Sequence, residues 1–203
     1  MVTPPGCERC GRPWEEPLQS CADCPPRSID AARAPFVYEG PVARAIRALK
    51  FSGWRALAPS LAGAMVESFR VHPVDGFAPD AVAWVPLSRR RRGARGFDQA
   101  EILAALVAGR VGLENLPLLS RIRETPAQAT RTGRERRGTL RGAFAPSGRA
   151  PPSVLLVDDV LTTGVTAAAC VAALREGGAR RVVVLTAARS CRGVVPSRCY
   201  GGG

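Results

Sequence analysis

Apolar positions along this chain fall into two kinds of run, one periodic and one unbroken. After Pro41, the residues Val42, Ala45, Ile46 and Leu49 recur at i, i+3, i+4 and i+7, the stripe of an amphipathic helix. Leu57, Leu61, Ala64, Met65 and Phe69 repeat that pattern over a second predicted helix, 56–69. Ile102, Leu103, Leu106 and Val107 mark a third, from about Asp98 to Val111. The unbroken runs 81–85, 154–157 and 182–185 read as strands covered on both faces, as parallel strands are. Between the last two lies a fourth helical stripe, Ala167, Cys170, Val171 and Leu174, with Gly177-Gly178 placed to end it. Strand, helix and strand in so short a span make a βαβ unit. The predicted fold is therefore α/β, a parallel sheet flanked by helices.

Elsewhere the pattern weakens. Residues 1–30 are rich in Cys and Pro and poor in large aliphatics, so they read as a small head without a core of its own. Residues 88–95 read as a basic loop. Residues 120–150, polar and Arg-rich, read as a mobile loop with a strand at 140–145. From Ser190 the pattern frays. The predicted division is a head at 1–30, an α/β domain at 31–190 and a flexible tail at 191–203.

Composition adds three constraints. With 203 residues, 46% hydrophobic and 23% charged, a packed core is expected and disorder is excluded. The net charge of +12 suits a polyanionic partner, nucleic acid or a phosphorylated ligand. Only Lys50 among the 29 basic residues is a lysine, however, a bias that GC-rich coding would produce anywhere, and this weakens the charge as a signal. No run approaches the ~18 apolar residues of a membrane helix, and the start MVTPPGCERC lacks a basic-then-apolar leader. The expected setting is the cytoplasm, with no membrane insertion.

In a reducing compartment, paired cysteines read first as metal ligands. Cys7-x2-Cys10 and Cys21-x2-Cys24 are two such pairs, ten residues apart. Each can bite one ion, and together they complete a closed tetrahedral thiolate set, the arrangement of structural zinc. Binding would supply folding energy to a segment that lacks a core. Redox pairing is the competing reading. Cys170 belongs to an apolar stripe, Cys191 and Cys199 lie in the tail, and His72, the single histidine, reads as a surface residue.

The richest chemistry sits in VLLVDDVLTTGVT, residues 154–166. A buried strand ends in Asp158 and Asp159, and Thr162, Thr163, Gly164 and Thr166 then open a helix. Its first N–H groups are unpaired and carry partial positive charge, glycine permits close approach, and three hydroxyls add donors: a cradle for phosphate. The carboxylates would repel phosphate but accept hydrogen bonds from a sugar diol. Phosphate on one side and diol on the other describes ribose 5-phosphate. An Asp-Asp turn with a Ser/Thr helix cap is the blander alternative.

This segment resembles the phosphoribosyl-pyrophosphate motif of type I phosphoribosyltransferases. Leu49-Lys50-Phe51, VPLSRRRRGARGFDQAEILA and TPAQ…RERRGTLRGAF, together with the four-cysteine head, resemble the signature segments of the ComF family. Asp98 and Thr139 stand where that family commonly has asparagine, and Arg131 near a usual leucine. The resemblance implies a type I phosphoribosyltransferase-like fold bearing a small zinc-binding knob. It implies that Asp158 and Asp159 are catalytic ribose contacts and that Thr162, Thr163, Gly164 and Thr166 hold the 5-phosphate. Arg95 falls in the pyrophosphate-loop position, Arg136 is a second candidate for that group, and the LKF context gives Lys50 a ligand-side role. Mg²⁺ would accompany phosphoribosyl pyrophosphate.

The implied activity is phosphoribosyl transfer linked to DNA uptake. The alternative is a non-catalytic accessory factor of natural transformation that handles single-stranded DNA beside a competence helicase. An aromatic content of 5% counts against a base-stacking platform.

Overall fold

The computed structural model describes residues 6–12, 16–22, 24–123 and 142–191. Arg131, Arg136, Thr139 and Cys199 lie outside the described residues. The sheet holds five strands, all parallel: β1 (Ala31–Arg33), β2 (Phe36–Val37), β3 (Ala81–Trp84), β6 (Ser153–Leu161) and β7 (Arg181–Arg189). Their order is β1-β7-β6-β3, with β2 continuing beside β7 beyond β1. The register runs from Ser153 opposite Arg181 to Leu161 opposite Arg189. A separate antiparallel pair joins β4 (Leu119–Arg121) to β5 (Phe144–Pro146).

Helices cover both faces. Helices α1 (Gly40–Phe51), α2 (Ala58–Val71) and α4 (Gln99–Val111) pack Ile46, Leu49, Met65, Leu103 and Val107 against Leu155, Val157, Val183 and Leu185. Helix α5 (Val165–Glu176) packs Cys170, Val171 and Leu174 with Val154, Leu156, Val182 and Val184 on the other face. Both sides of β6 are therefore apolar, which is why its sequence shows no alternation. The same two-residue period aims successive residues at opposite faces, and it carries on into the acids. Asp158 follows Leu156 towards α5, and Asp159 follows Val157 towards α1 and α4.

Three local expectations are corrected. The stretch 88–95 contains helix α3 (Arg89–Arg95), not a loop. Ser88 caps it by accepting from the Arg91 N–H, Gly96 ends it in the left-handed region, and arginine is a good helix former even without an apolar stripe. The second helix starts and ends later than predicted, because a 3₁₀ turn at Arg55–Leu57 precedes it and Pro59 fits its first turn. Of the strand expected at 140–145, residues 140 and 141 lie outside the described residues, and the described part carries the strand at Phe144–Pro146, placed by pairing with β4 rather than by its own pattern. Among the described residues, no helix is long and apolar enough to cross a membrane.

Candidate functional site

The carboxyl end of β6 is the meeting point. Asp159 is 5% exposed, and both its oxygens have partners. Lys50, in the last turn of α1, places Nζ 2.7 Å from Oδ1. Gln99, the first residue of α4, donates from Nε2 to Oδ2 at 2.7 Å. Gln99 Oε1 accepts from Arg95 Nη1 at 2.8 Å, and the Arg95 guanidinium lies 4.7 Å from the centre of the Phe51 ring. Lys50, Arg95 and Asp159 are thus drawn together from α1, α3 and β6.

Asp158 is half-buried, and its Oδ1 accepts from the Asp159 N–H at 2.8 Å. Burial, and then the charge of Asp159, push the Asp158 carboxyl well above its ordinary range, while Lys50 pulls it back. Its charge also reaches Cys170 on α5, a buried thiol raised mainly by burial. The acids are therefore unequal: Asp159 is buried and ion-paired, Asp158 is more open and costly to ionise.

Past the strand end, Thr162 is exposed and Thr163 and Thr166 are half-buried. Gly164 is the N-cap of α5, with φ of 75°. A glycine cap brings no side-chain acceptor to the helix's own first N–H groups. Its Cα is closely approached by the head: a Cβ built there would lie 2.6 Å from Pro25 Cβ and 3.1 Å from Pro26 Cδ. The backbone approach permitted by this glycine is, in this structure, a contact with the proline pair that follows Cys24.

The head carries the four-cysteine cluster. All four sulfurs lie within 4.8 Å of one another. Cys7 and Cys24 are 3.4 Å apart, Cys10 and Cys21 3.5 Å, and Cys21 and Cys24 3.8 Å. Tetrahedral zinc with Zn–S near 2.3 Å requires edges of about 3.8 Å, so the cluster fits structural zinc. Hydrogen bonding with Cys10 holds Cys7 down to about 4, and the same bond together with burial pushes Cys10 up. A thiol set that shares its protons in this way is one a divalent cation would deprotonate completely.

Buried arginines brace the cluster. Arg33 donates to the carbonyls of Glu8 at 2.7 Å and His72 at 2.8 Å, and its charge is felt at Cys10 and Cys7. The positive charge of Arg189, at the end of β7, favours the Cys10 thiolate. A cavity of about 590 Å³ lies between the head and the end of α2, lined by Glu8, Arg33, His72 and Asp75 among others. It shares no residue with the acid-bearing loop.

Sequence reasoning passed over Gln99, the Phe51 ring under Arg95 and the Pro25 contact. It placed Asp98 at the start of the third helix and noted it only as a departure from the family's asparagine. The structure makes Asp98 the buried cap of α4: Oδ1 accepts from Ala100 N at 3.0 Å, and Oδ2 from Leu87 N at 2.8 Å. Asp and Asn are near-equal caps, so this difference from the family pattern leaves the helix start intact.

No family model matches the chain. Among solved structures, TT1426 from Thermus thermophilus is similar at a TM-score of 0.37 and 19% identity, over 63% of this chain and 71% of that one. Among curated proteins, the DNA utilization protein YhgH of Escherichia coli (strain K12) is 30% identical over 88% of this chain and 81% of its own length. Competence protein ComFC of Streptococcus pneumoniae is 38% identical over 52% and 46%. Competence protein F of Haemophilus influenzae is 30% identical over 197 residues, 92% of this chain and 85% of that protein. Similarity sustained over nearly the full length of both proteins shows that the chain belongs to the ComF family.

Proposed function

We propose that this ComF-family protein binds phosphoribosyl pyrophosphate at the carboxyl end of β6 and transfers or otherwise uses its ribose 5-phosphate group in DNA uptake. One observation carries the reading: an acid pair and a glycine-capped helix start stand beside Lys50 and Arg95, two cations from distant segments that converge on the same carboxylate network. Asp158 and Asp159 accept from the ribose hydroxyls, since each carboxylate has lone pairs beyond those its present partners occupy. The threonine hydroxyls and first N–H groups of α5 take the 5-phosphate. Arg95 and Lys50 offset the charge of the departing pyrophosphate, the group most in need of stabilisation during transfer. Mg²⁺ arriving with the pyrophosphate would bridge its oxygens and add Lewis-acid stabilisation.

The four-cysteine head holds structural zinc, a ligand set suited to the reducing cytoplasm. The relatives' names, competence protein F and DNA utilization protein, support a role in DNA uptake, where a competence helicase is the partner that family resemblance implies.

Calorimetry with phosphoribosyl pyrophosphate and Mg²⁺ tests the site. Saturable binding is expected for the native chain and loss of about a hundredfold or more for Asp158→Asn, Asp159→Asn, because two charged hydrogen-bond acceptors are removed. Equal binding by the double variant would reject the assignment.

A second reading, contact with single-stranded DNA, is favoured by the surface beside Lys50. Phe51 is 70% and Trp54 62% exposed, and the Arg55 guanidinium lies 4.6 Å from the Phe97 ring centre. Exposed rings and arginines are what stacked bases and their phosphates require. Phe51→Ala, Trp54→Ala should weaken single-stranded DNA binding in a salt series, and no change would remove this reading.

A further inference from the structure

Gln99 is a neutral side chain, 3% exposed, held between two charged ones. It donates to Asp159 at 2.7 Å and accepts from Arg95 at 2.8 Å. Its amide orientation is fixed by chemistry, because an ionised carboxylate only accepts and a guanidinium only donates. A flipped amide would set like groups against each other at both ends. The other oxygen of Asp159 belongs to Lys50, and the residue after Lys50, Phe51, lies beneath Arg95. The circuit Lys50–Asp159–Gln99–Arg95–Phe51 therefore closes on itself through α1, β6, α4 and α3. Gln99 sits rigidly in it, because Asp98 caps the same turn and ties it to Leu87.

We propose that Gln99 is the positioning residue that couples the ribose end of the site to its pyrophosphate end. Through its amide, the state of Asp159 sets the orientation of Arg95, so that engagement of the acid pair by a sugar diol presents the guanidinium to the diphosphate. This rests on the ribose-phosphate reading above and adds to it a wire between two subsites. A carboxylate at this position would repel Asp159. An apolar chain would leave the buried carboxylate and the guanidinium each short of a partner.

Two arms of one experiment decide it. In the first, nitrogen NMR follows the Arg95 Nε and the Gln99 amide in the free protein. Asp159→Asn should shift the Arg95 resonance, and the same substitution in a Gln99→Met background should shift it far less, since only the direct charge of Asp159 then reaches Arg95. An Arg95 resonance indifferent to Asp159→Asn while Gln99 is present overturns the coupling. In the second, phosphoribosyl pyrophosphate with Mg²⁺ is the probe. Gln99→Met should weaken binding about ten- to a hundredfold, as loss of an outer supporting group commonly does, Arg95→Met by at least as much because it removes the phosphate contact itself, and the double variant should be no weaker than Arg95→Met alone. Strictly multiplicative losses overturn the proposal.

Gln99→Glu, close in shape, guards against a folding artefact. Its affinity should recover as pH falls and one carboxyl of the new pair takes up a proton, a pH profile that a merely structural role would not produce. If the native protein ignores the probe, the ribose-phosphate reading fails, while the resonance arm still decides the coupling.

Discussion

Replacing Gly164 with alanine tests whether the cysteine head is seated on the loop between β6 and α5. Two costs follow from the structure. The φ of 75° lies in the left-handed region, where a Cβ costs about 1–2 kcal/mol. The new Cβ would also meet Pro25 Cβ at 2.6 Å and Pro26 Cδ at 3.1 Å. Overpacking of that kind costs about 1–3 kcal/mol. Gly164→Ala should therefore destabilise by about 2–5 kcal/mol, lowering Tm by roughly 5–15 °C in a chain of this size.

Gly112→Ala supplies the control. Its φ of 73° matches, but nothing lies within 4 Å of the added carbon, so only the conformational cost of about 1–2 kcal/mol applies. Removing the clashing carbon with Pro25→Gly should then recover about 1–2 kcal/mol of the Gly164→Ala loss, a coupling readable from urea midpoints in the double-mutant cycle. Equal losses at Gly164 and Gly112, or no recovery with Pro25→Gly, would show that the head does not press on the loop.

The acid pair gives a pH prediction. Asp158 has a folded value raised above the ordinary 3.8, so its neutral form favours the fold. That contribution is complete below the unfolded value and is lost as pH rises through the folded one. Asp158→Asn should flatten this decline and stabilise the free protein by about 1 kcal/mol at pH 7, the usual gain from relieving a costly functional group; a less stable variant in urea titration at pH 7 would contradict it. Metal analysis should find about one Zn²⁺ per chain and none after Cys7, Cys10, Cys21 and Cys24 become serine, and chelation should speed amide exchange at 162–168 through the freed Pro25–Pro26 segment. Asp98→Asn should keep α4 capped but face an amide towards the Leu87 N–H, a loss of about 1 kcal/mol in thermal denaturation.

Much of the architecture was legible in the chain because its core strands are buried on both sides. β6, α5 and β7 stand out as apolar runs and one stripe, and helix periodicity located α1, α2 and α4. Helix α3 was not legible, since its stability comes from a serine cap and a closing glycine around arginines rather than from a buried face. The acids, the threonines and the cysteines showed through residue type and spacing. Gln99 did not: an amide in an arginine-rich segment means nothing until both its partners have positions. The Pro25–Gly164 contact joins distant parts of the chain and has no local signature. The alternation that sends Asp158 and Asp159 to opposite faces follows from strand geometry alone, but how deeply Asp159 is sunk depends on Lys50 and Gln99 arriving from two other elements.

Amide hydrogen exchange with and without phosphoribosyl pyrophosphate and Mg²⁺ addresses the central claim most directly. Binding of the 5-phosphate by the first N–H groups of α5 should slow exchange at 163–167 several-fold or more, with matching protection around Arg95. Exchange in that segment unchanged by saturating ligand, or protection confined to the surface of the head, would contradict the account.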